Sequence, residues 1–144
     1  MPKIVSGEAE LTLKLEGLSD AISGEQLLKA LLAGGYVLEG EIKSSMAEPK
    51  SGRQYGKHQA SAPGESPAID MSALVNSIGT EPGETNKNGA SVLVGTNQEY
   101  AEPLEFGTAR MAARPFLRPA MENKKGAIEA AAQTVIKQQI EAKL

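Results

Sequence analysis

Two apolar stripes with the spacing of an α-helix lie towards opposite ends of this 144-residue chain. They constrain its fold more than any other feature. The first begins after Ser23, which with Gln26 three residues later forms a capping-box pattern, and it runs to about Met46. The sequence therefore predicts a long N-terminal helix with one buried face. That face comprises Leu27, Leu31, Leu38 and Ile42, with Leu28 and Leu32 beside them.

The second stripe predicts a C-terminal helix over about residues 115–142. Pro119 fits only near its first turn, because a proline farther inside would remove a backbone hydrogen bond. The apolar face of this C-terminal helix comprises Leu117, Met121, Ile128, Ala132, Val135, Ile136 and Ile140.

In the N-terminal helix, Gly34 and Gly35 each cost about 1 kcal/mol of helix stability relative to alanine. Such a pair predicts a bend or a close neighbour, and we expect close packing.

Three further segments have the character of strands. Residues 10–16, ELTLKLE, alternate apolar and polar side chains as a half-buried strand does. Residues 71–78, MSALVNSI, are expected to begin as a helical turn and lead into a strand, and residues 90–95, ASVLVG, to form a buried strand. The turn-rich residues 79–89 between them predict an antiparallel hairpin with a long tip.

A short helix is predicted over about residues 98–106, with Asn97 as its N-cap and Gly107 just after its end. Residues 107–114 are expected to be extended. Burial of Phe106 alone should contribute about 1.5–3 kcal/mol. The residues expected to pack this helix on the sheet are Tyr100, Ala101, Leu104 and Phe106.

Together these elements predict one α+β domain over residues 1–144, with a small, mainly antiparallel sheet and two long helices. Residues 48–69 stand apart, because they are rich in Gly and Pro and lack apolar periodicity. Loops of this length in a compact domain are usually functional or disordered. The loop is expected to be a mobile tip, or an arm that becomes ordered against a neighbouring subunit. Fully extended, it would reach at most about 70 Å.

Composition excludes several classes of protein. The chain has no cysteine, so disulfides, thiolate metal sites and a cysteine nucleophile are excluded. The first ten residues hold no apolar run of a signal peptide, and no stretch approaches the roughly 18 apolar residues of a membrane span. We therefore expect a soluble protein kept inside the cell. Two Phe, three Tyr and no Trp predict an aliphatic core and disfavour a single-stranded nucleic-acid binder.

Catalytic residues are scarce. His58, the one histidine, lies near Ser61 and Asp70, so a Ser–His–Asp set can be written down. All three lie in or beside the Gly/Pro-rich loop, which does not provide the rigid orientation that a triad needs. There is no zinc-ligand spacing, no EF-hand pattern and no phosphate-binding glycine motif. We expect no enzyme activity, no cofactor and no metal.

Charge is arranged in blocks. Residues 65–106 carry seven acidic residues and one basic residue, whereas residues 107–144 carry seven basic and three acidic residues. The blocks are either two solvated faces or complementary patches that meet between subunits. Arg110, Arg114 and Arg118 recur every four residues and would line one face of a helix. With the basic residues of the loop they leave nucleic-acid binding open, although three phosphate contacts are few and the pI is about 5.3.

The strings SGRQYGKHQASAPGESPAIDMSALVNSI and VGTNQEYAEPLEFGTARMAARPFLRPAME occur in that order. They resemble the small tail-component, or neck, family of long-tailed phages and their prophages over about residues 20–140. Members share an L-x-x-S-I segment, a Y-A-x-x-x-E-F-G-T stretch and an R-P-F-x-x-P-A segment that leads into a C-terminal helix. Ser72 or Ala73 stands here where the family more often has Gly. The matching residues are Ser72, Leu74, Ser77, Ile78, Val94, Gly95, Tyr100, Ala101, Glu105, Phe106, Gly107, Thr108, Arg114, Pro115, Phe116, Pro119 and Ala120.

The resemblance implies a non-enzymatic virion protein of the neck, made in the cytoplasm of the bacterial host. Such a protein would join the tail to the DNA-filled head as part of a ring, commonly six-fold. Its partners would be further copies of itself, a head-closure protein, and a tail-terminator or tail-tube protein. Phage DNA would pass through the ring without sequence-specific binding. The alternatives are a tail-terminator ring protein and a small nucleic-acid-binding protein.

A ring needs heterologous interfaces, in which one surface of a subunit meets a different surface of the next. We expect Arg110 and Arg114 to find partners in a neighbouring subunit, such as its Glu102 or Glu105. The Arg–Tyr pair of the long loop is the other candidate contact. The candidate assembly residues are therefore Arg53, Tyr55, Tyr100, Glu105, Arg110, Arg114 and Arg118.

Overall fold

The computed structural model describes residues 6–13, 24–69, 73–86 and 89–142. Within these ranges the chain forms four helices and five strands in an α+β arrangement, as the sequence predicts. Ser23, Asp70 and Ser72 lie outside the described residues, as do residues 14–16 of the predicted first strand. The elements are β1 (Ser6–Leu13), α1 (Gly24–Ala47), β2 (Gln54–Tyr55), β3 (His58–Gln59), α2 (Ala73–Ser77), β4 (Gly79–Asn86), β5 (Gly89–Thr96), α3 (Ala101–Phe106) and α4 (Leu117–Glu141).

A three-stranded antiparallel sheet in the order β1-β5-β4 covers one side of α1. Val92 and Val94 in the central strand are fully buried and are paired with Leu11 and Ala9 of β1. The other side of α1 packs on α4, which runs antiparallel to it. The helix α1 is therefore the middle layer, which explains why its apolar stripe is wide.

Two adjacent glycines let α1 fit between these layers. A Cβ atom on Gly34 would lie 3.0 Å from the Cγ2 atom of Ile128 in α4. A Cβ atom on Gly35 would lie 2.7 Å from the Cγ2 atom of Thr80 and 3.0 Å from a methyl carbon of Val92, both in the sheet. The pair therefore permits close approach on two sides of one helical turn, and the predicted close packing is confirmed.

The core is aliphatic, as the composition predicts, and Phe116 is its one buried aromatic residue among those described. The other four aromatic side chains are exposed. The predicted burial of Phe106 and Tyr100 is wrong, because they are 62% and 45% exposed. Ala101 on the same short helix is fully buried and Leu104 is partly buried, so small and aliphatic side chains pack α3 instead.

Residues 79–86 form β4, so the predicted turn-rich connector and long hairpin tip are wrong. Pro82 lies in this strand opposite Val92, where the ladder shifts register before Thr85. Proline is tolerated because β4 is an edge strand, whose outward amides need no partner. The Gly/Pro composition that suggested a turn here instead marks an irregular sheet edge.

The two C-terminal helices begin later than the sequence suggests. The N-cap of α3 is Tyr100 rather than Asn97, and α4 begins at Leu117 rather than about 115. Gly107 follows α3 with a φ of +78°, which confirms its predicted role. Residues 107–114 are not simply extended, because Thr108 and Met111 exchange backbone hydrogen bonds across a turn.

We expect Gly35→Ala to be less stable than Gly40→Ala by about 1–3 kcal/mol, the usual cost of overpacking. Gly40 is a matched control, since it lies in the same helix and an added Cβ atom there meets nothing within 4 Å. Both substitutions gain about the same helix propensity, so their difference reports packing alone. Urea unfolding of both variants measures it, and equal stabilities would contradict the glycine argument.

Candidate assembly surface

The carboxylate of Glu105 is buried at the start of α4. Its side chain is 1% exposed. Its Oε2 atom accepts hydrogen bonds from the amides of Phe116, at 2.6 Å, and Leu117, at 3.0 Å. Its Oε1 atom accepts a third from the amide of Arg118 at 3.0 Å. One side chain therefore satisfies all three amides that this helix leaves unpaired at its start, because the fourth position is Pro119, which has no N–H.

This contact replaces a local N-cap. The N-cap residue of α4, Phe116, makes no side-chain capping bond. Glu105 acts from eleven residues upstream, at the buried end of α3, and its negative charge also favours the positive end of the α4 dipole. The stretch between them is therefore closed into a loop, residues 107–116, whose two ends meet at one carboxylate.

Arg118 closes the joint on its solvent side. Its Nε atom donates to Oε1 of Glu105 at 3.2 Å, and its Nη2 atom donates to the backbone oxygen of the same residue at 3.1 Å. The guanidinium carbon lies 5.0 Å from the ring centre of Phe106. Arg118 is 58% exposed at its side chain, so the Arg118–Phe106 pair is a preorganised surface rather than part of the core.

The loop 107–116 has its own turn. Thr108 Oγ1 accepts from the amides of Arg110 and Met111, at 3.2 and 3.1 Å. The amide of Arg114 donates to the oxygen of Leu104 at 2.6 Å, which joins the end of the loop to α3. The backbone of Arg110 is therefore placed by the turn, whereas its side chain is exposed and makes no ion pair among the described residues.

The same loop holds the base of the segment 48–69. Arg114 Nε donates to the oxygen of Ser61 at 3.2 Å, and the amide of Gly64 donates to the oxygen of Ala113 at 2.9 Å. On the other side of the base, Lys50 Nζ donates to the backbone oxygen of Ser45 in α1 at 2.7 Å and to the hydroxyl oxygen of Ser66 at 2.6 Å. Desolvation by the surrounding chain lowers the pKa of Lys50 below its ordinary value. The base is therefore ordered within a single chain.

Glu65 organises the inner part of this base. Its Oε1 atom accepts from the amide of Ala62 at 2.6 Å and from the amide and hydroxyl of Ser51 at 3.0 and 3.1 Å. The hydrogen bond from Ala62, followed by that from Ser51, holds the pKa of the Glu65 carboxyl below its usual value. From the sequence, Lys50 was identified only as one of the basic residues of the loop and Glu65 was not identified, because their partners lie on separate turns.

From this base a short hairpin, residues 52–60, projects. The strands β2 and β3 pair Gln54 with Gln59 and Tyr55 with His58. Gly56 turns the chain with a φ of +60°. The guanidinium carbon of Arg53 lies 5.2 Å from the ring centre of Tyr55, and both side chains are exposed. In the structure residues 52–60 of the long loop thus form a hairpin, which its backbone pairs and its base hold.

The seven candidate assembly residues divide into three groups. Glu105 is structural, and Arg118 of the same chain is its partner in place of a neighbouring subunit. Arg114 is half-buried and supports the hairpin base, while Arg118 caps the joint with half its surface exposed. The remaining four are exposed: Arg53, Tyr55, Tyr100 and Arg110. Sequence reasoning did not select two more exposed aromatic residues, Phe106 and Tyr36, the latter on α1.

The described surface includes an apolar groove and a polar depression. A groove of about 540 Å³ runs between α1 and α4 beside Gly34 and Ile128, and a polar one of about 240 Å³ lies beside Lys50. The described ranges contain no group of three acidic or histidine side chains placed to hold a metal. Asp70 of the possible triad lies outside them. No helix in the described part of the chain is long and apolar enough to cross a membrane.

Comparisons with protein-family models, with curated proteins and with solved structures give no match for this chain.

We expect Glu105→Ala to lower the free energy of unfolding by about 2–4 kcal/mol, because it leaves three helix amides without their acceptor. Glu105→Gln keeps one oxygen acceptor and should fall between the alanine variant and the original chain. Glu102→Ala is the matched control, since Glu102 is exposed on the same helix and should change stability by less than about 0.5 kcal/mol. Urea unfolding measures all three. A similar loss for Glu102→Ala would contradict the capping role.

Acid should release the base of the hairpin. Because the folded-state pKa of Glu65 is depressed, its contribution is complete above the ordinary value of 4.5 and is lost as pH falls through the lower folded value. The NMR shifts of the Ala62 and Ser51 amides should titrate together with a midpoint below 4.5. Glu65→Gln should remove this titration. A midpoint at or above the ordinary value would contradict these hydrogen bonds.

Proposed function

We propose that this chain is a structural protein of a phage or prophage virion that acts at the head–tail junction. It joins the tail to the DNA-filled head as one subunit of an oligomeric ring, and it carries out no catalysis. Its partners are further copies of itself, a head-closure protein, and a tail-terminator or tail-tube protein. It is made in the host cytoplasm and becomes part of the neck.

The observation that carries this proposal is the physical union of two motifs. The E-F-G-T stretch contains Glu105, and the R-P-F-x-x-P-A segment supplies Phe116 and the start of α4. In the structure the first motif caps the second. The residues of these two motifs thus form one joint, which supports reading them as an architectural device rather than as a reacting centre.

The distribution of aromatic residues also supports an assembly role. A chain with five aromatic residues exposes four of them: Tyr36, Tyr55, Tyr100 and Phe106. An exposed aromatic side chain leaves apolar surface in water and adds nothing to the stability of the core. Aromatic and arginine side chains are also the residues most enriched in binding hot spots. Two of the four lie against an arginine. These surfaces suit contact with other proteins.

Deletion in the phage or prophage, followed by electron microscopy of the lysate, tests the proposal. A head–tail joining role predicts filled heads beside complete but unattached tails. Tails of uncontrolled length would favour a tail-terminator ring protein instead. Normal particles would contradict both structural roles.

Complementation with variants locates the working surface. We expect Arg110→Glu to fold normally and to reduce the yield of joined particles at least about tenfold. The negative charge would then repel the acidic side chain that Arg110 is expected to meet on the neighbouring subunit. Lys137→Glu is the matched control, since it makes the same charge change on an exposed position of α4. Arg114→Glu is a poorer probe than Arg110→Glu, because Arg114 also holds the hairpin base. Equal yields for Arg110→Glu and Lys137→Glu would remove Arg110 from the interface.

A further inference from the structure

The hydrogen bonds of the hairpin 52–60 are made within one chain. The amide of Gly52 donates to the oxygen of Ala60 at 2.9 Å, and the amide of Ala60 donates to the oxygen of Arg53 at 3.0 Å. Gln59 donates from its side chain to the oxygen of Gly52. A Cβ atom on Gly52 would lie 2.5 Å from the oxygen of Ser61, so the base is closed tightly. The hairpin therefore leaves its tip free to meet a partner.

Its tip packs on nothing in the described chain. Every residue from 53 to 57 is exposed, and Tyr55 is 56% exposed. An isolated two-stranded hairpin is marginal in water, yet this one is held at its base by contacts with α1 and with the loop 107–116. Binding through a preorganised element loses less conformational entropy than binding through a mobile loop. The arrangement suits an element whose tip is completed by a partner.

The charge of the tip selects the partner. Arg53 and Lys57 flank Tyr55, and residues 49–64 contain no acidic residue. The partner surface should therefore be acidic and should offer an apolar contact for the tyrosine ring. Two cations with one aromatic ring make a small electrostatic footprint for nucleic acid, and the chain as a whole has a net charge of −3.

The chain carries such a surface itself. Glu99, Tyr100 and Glu102 are exposed around the start of α3, and Tyr100 is 45% exposed. Among the described residues neither carboxylate takes part in an ion pair. This surface therefore mirrors the hairpin tip, with two acids around a tyrosine in place of two bases around a tyrosine. We call it the Tyr100 surface.

We infer that the hairpin of one copy binds the Tyr100 surface of the next copy. Because the two surfaces differ, the contact is head-to-tail and can be repeated around a ring. The inference rests on the ring assembly proposed above and names its contact. Tyr55 and Tyr100 supply the central apolar contact, and the four charges set register around it.

Charge reversal tests the contact. Arg53→Glu with Lys57→Glu should weaken self-association about tenfold or more in sedimentation experiments at low salt, and Glu99→Lys with Glu102→Lys should do the same. The variant that combines all four substitutions should associate again, because each reversed surface meets a reversed partner. Lys29→Glu with Lys137→Glu is the matched control, since it changes net charge equally on exposed helix positions.

Crosslinking identifies the pair directly, because the natural chain has no cysteine. A chain carrying both Gln54→Cys and Asn97→Cys, two exposed positions beside the tyrosines that leave the proposed contact residues in place, should give covalent oligomers with a short thiol crosslinker, in concentrated solution and in assembled particles. Each single variant should give at most a dimer. Absence of oligomers larger than a dimer in both settings overturns the inference.

The remaining outcomes are separable. If the hairpin reversal abolishes retention on DNA while self-association is unchanged, the partner is nucleic acid and the inference fails. If self-association is unaffected by any reversal while deletion still yields unattached heads and tails, the joining role stands and only this contact fails. The pairing is also overturned if the variant that combines all four charge reversals does not associate while both double variants are folded.

Discussion

The carboxylate of Glu105 at the start of α4 is the interaction on which the rest of the second half depends. It satisfies three backbone amides at once and fixes α3 relative to α4. Because both ends of the loop 107–116 meet there, the loop can hold the base of the hairpin through Ala113 and Arg114. One buried carboxylate thus joins α3 to α4 beside Arg118, and the loop that it closes supports one side of the hairpin base, while Lys50 supports the other side.

The first half depends on a different constraint: the backbone of α1 must lie close to α4 on one side and to the sheet on the other. Gly34 and Gly35 let this helix touch α4 and the sheet on two sides. Aliphatic side chains fill the contacts of α1 with α4 and with the sheet. Phe116 is the one aromatic residue buried in the described core. The remaining four aromatic side chains are on the surface, where their unfavourable exposure to water is compatible with an assembly role.

Local patterns predicted the long helices, the α+β class, the central strand β5, the close approach at Gly34 and Gly35, and the stop at Gly107. They failed where a tertiary neighbour decided the outcome. Residues 79–86 are a strand because β5 offers a ladder to an edge where Pro82 is tolerated. Phe106 is exposed because Ala101 and Leu104 already fill the space under α3. The hairpin 52–60 has no apolar periodicity, so only its backbone pairs reveal it.

By itself the sequence determined periodicity, composition and the order of motifs, because these are properties of neighbouring residues along the chain. Of the seven candidate contacts that it selected, the structure finds Arg53, Tyr55 and Arg110 exposed, and it finds Tyr100 exposed although the sequence also predicted this side chain to pack on the sheet. Only the tertiary structure decided that Glu105 belongs inside the molecule. Its acceptors face amides eleven to thirteen residues away, and no local pattern records which helix start a distant carboxylate will meet.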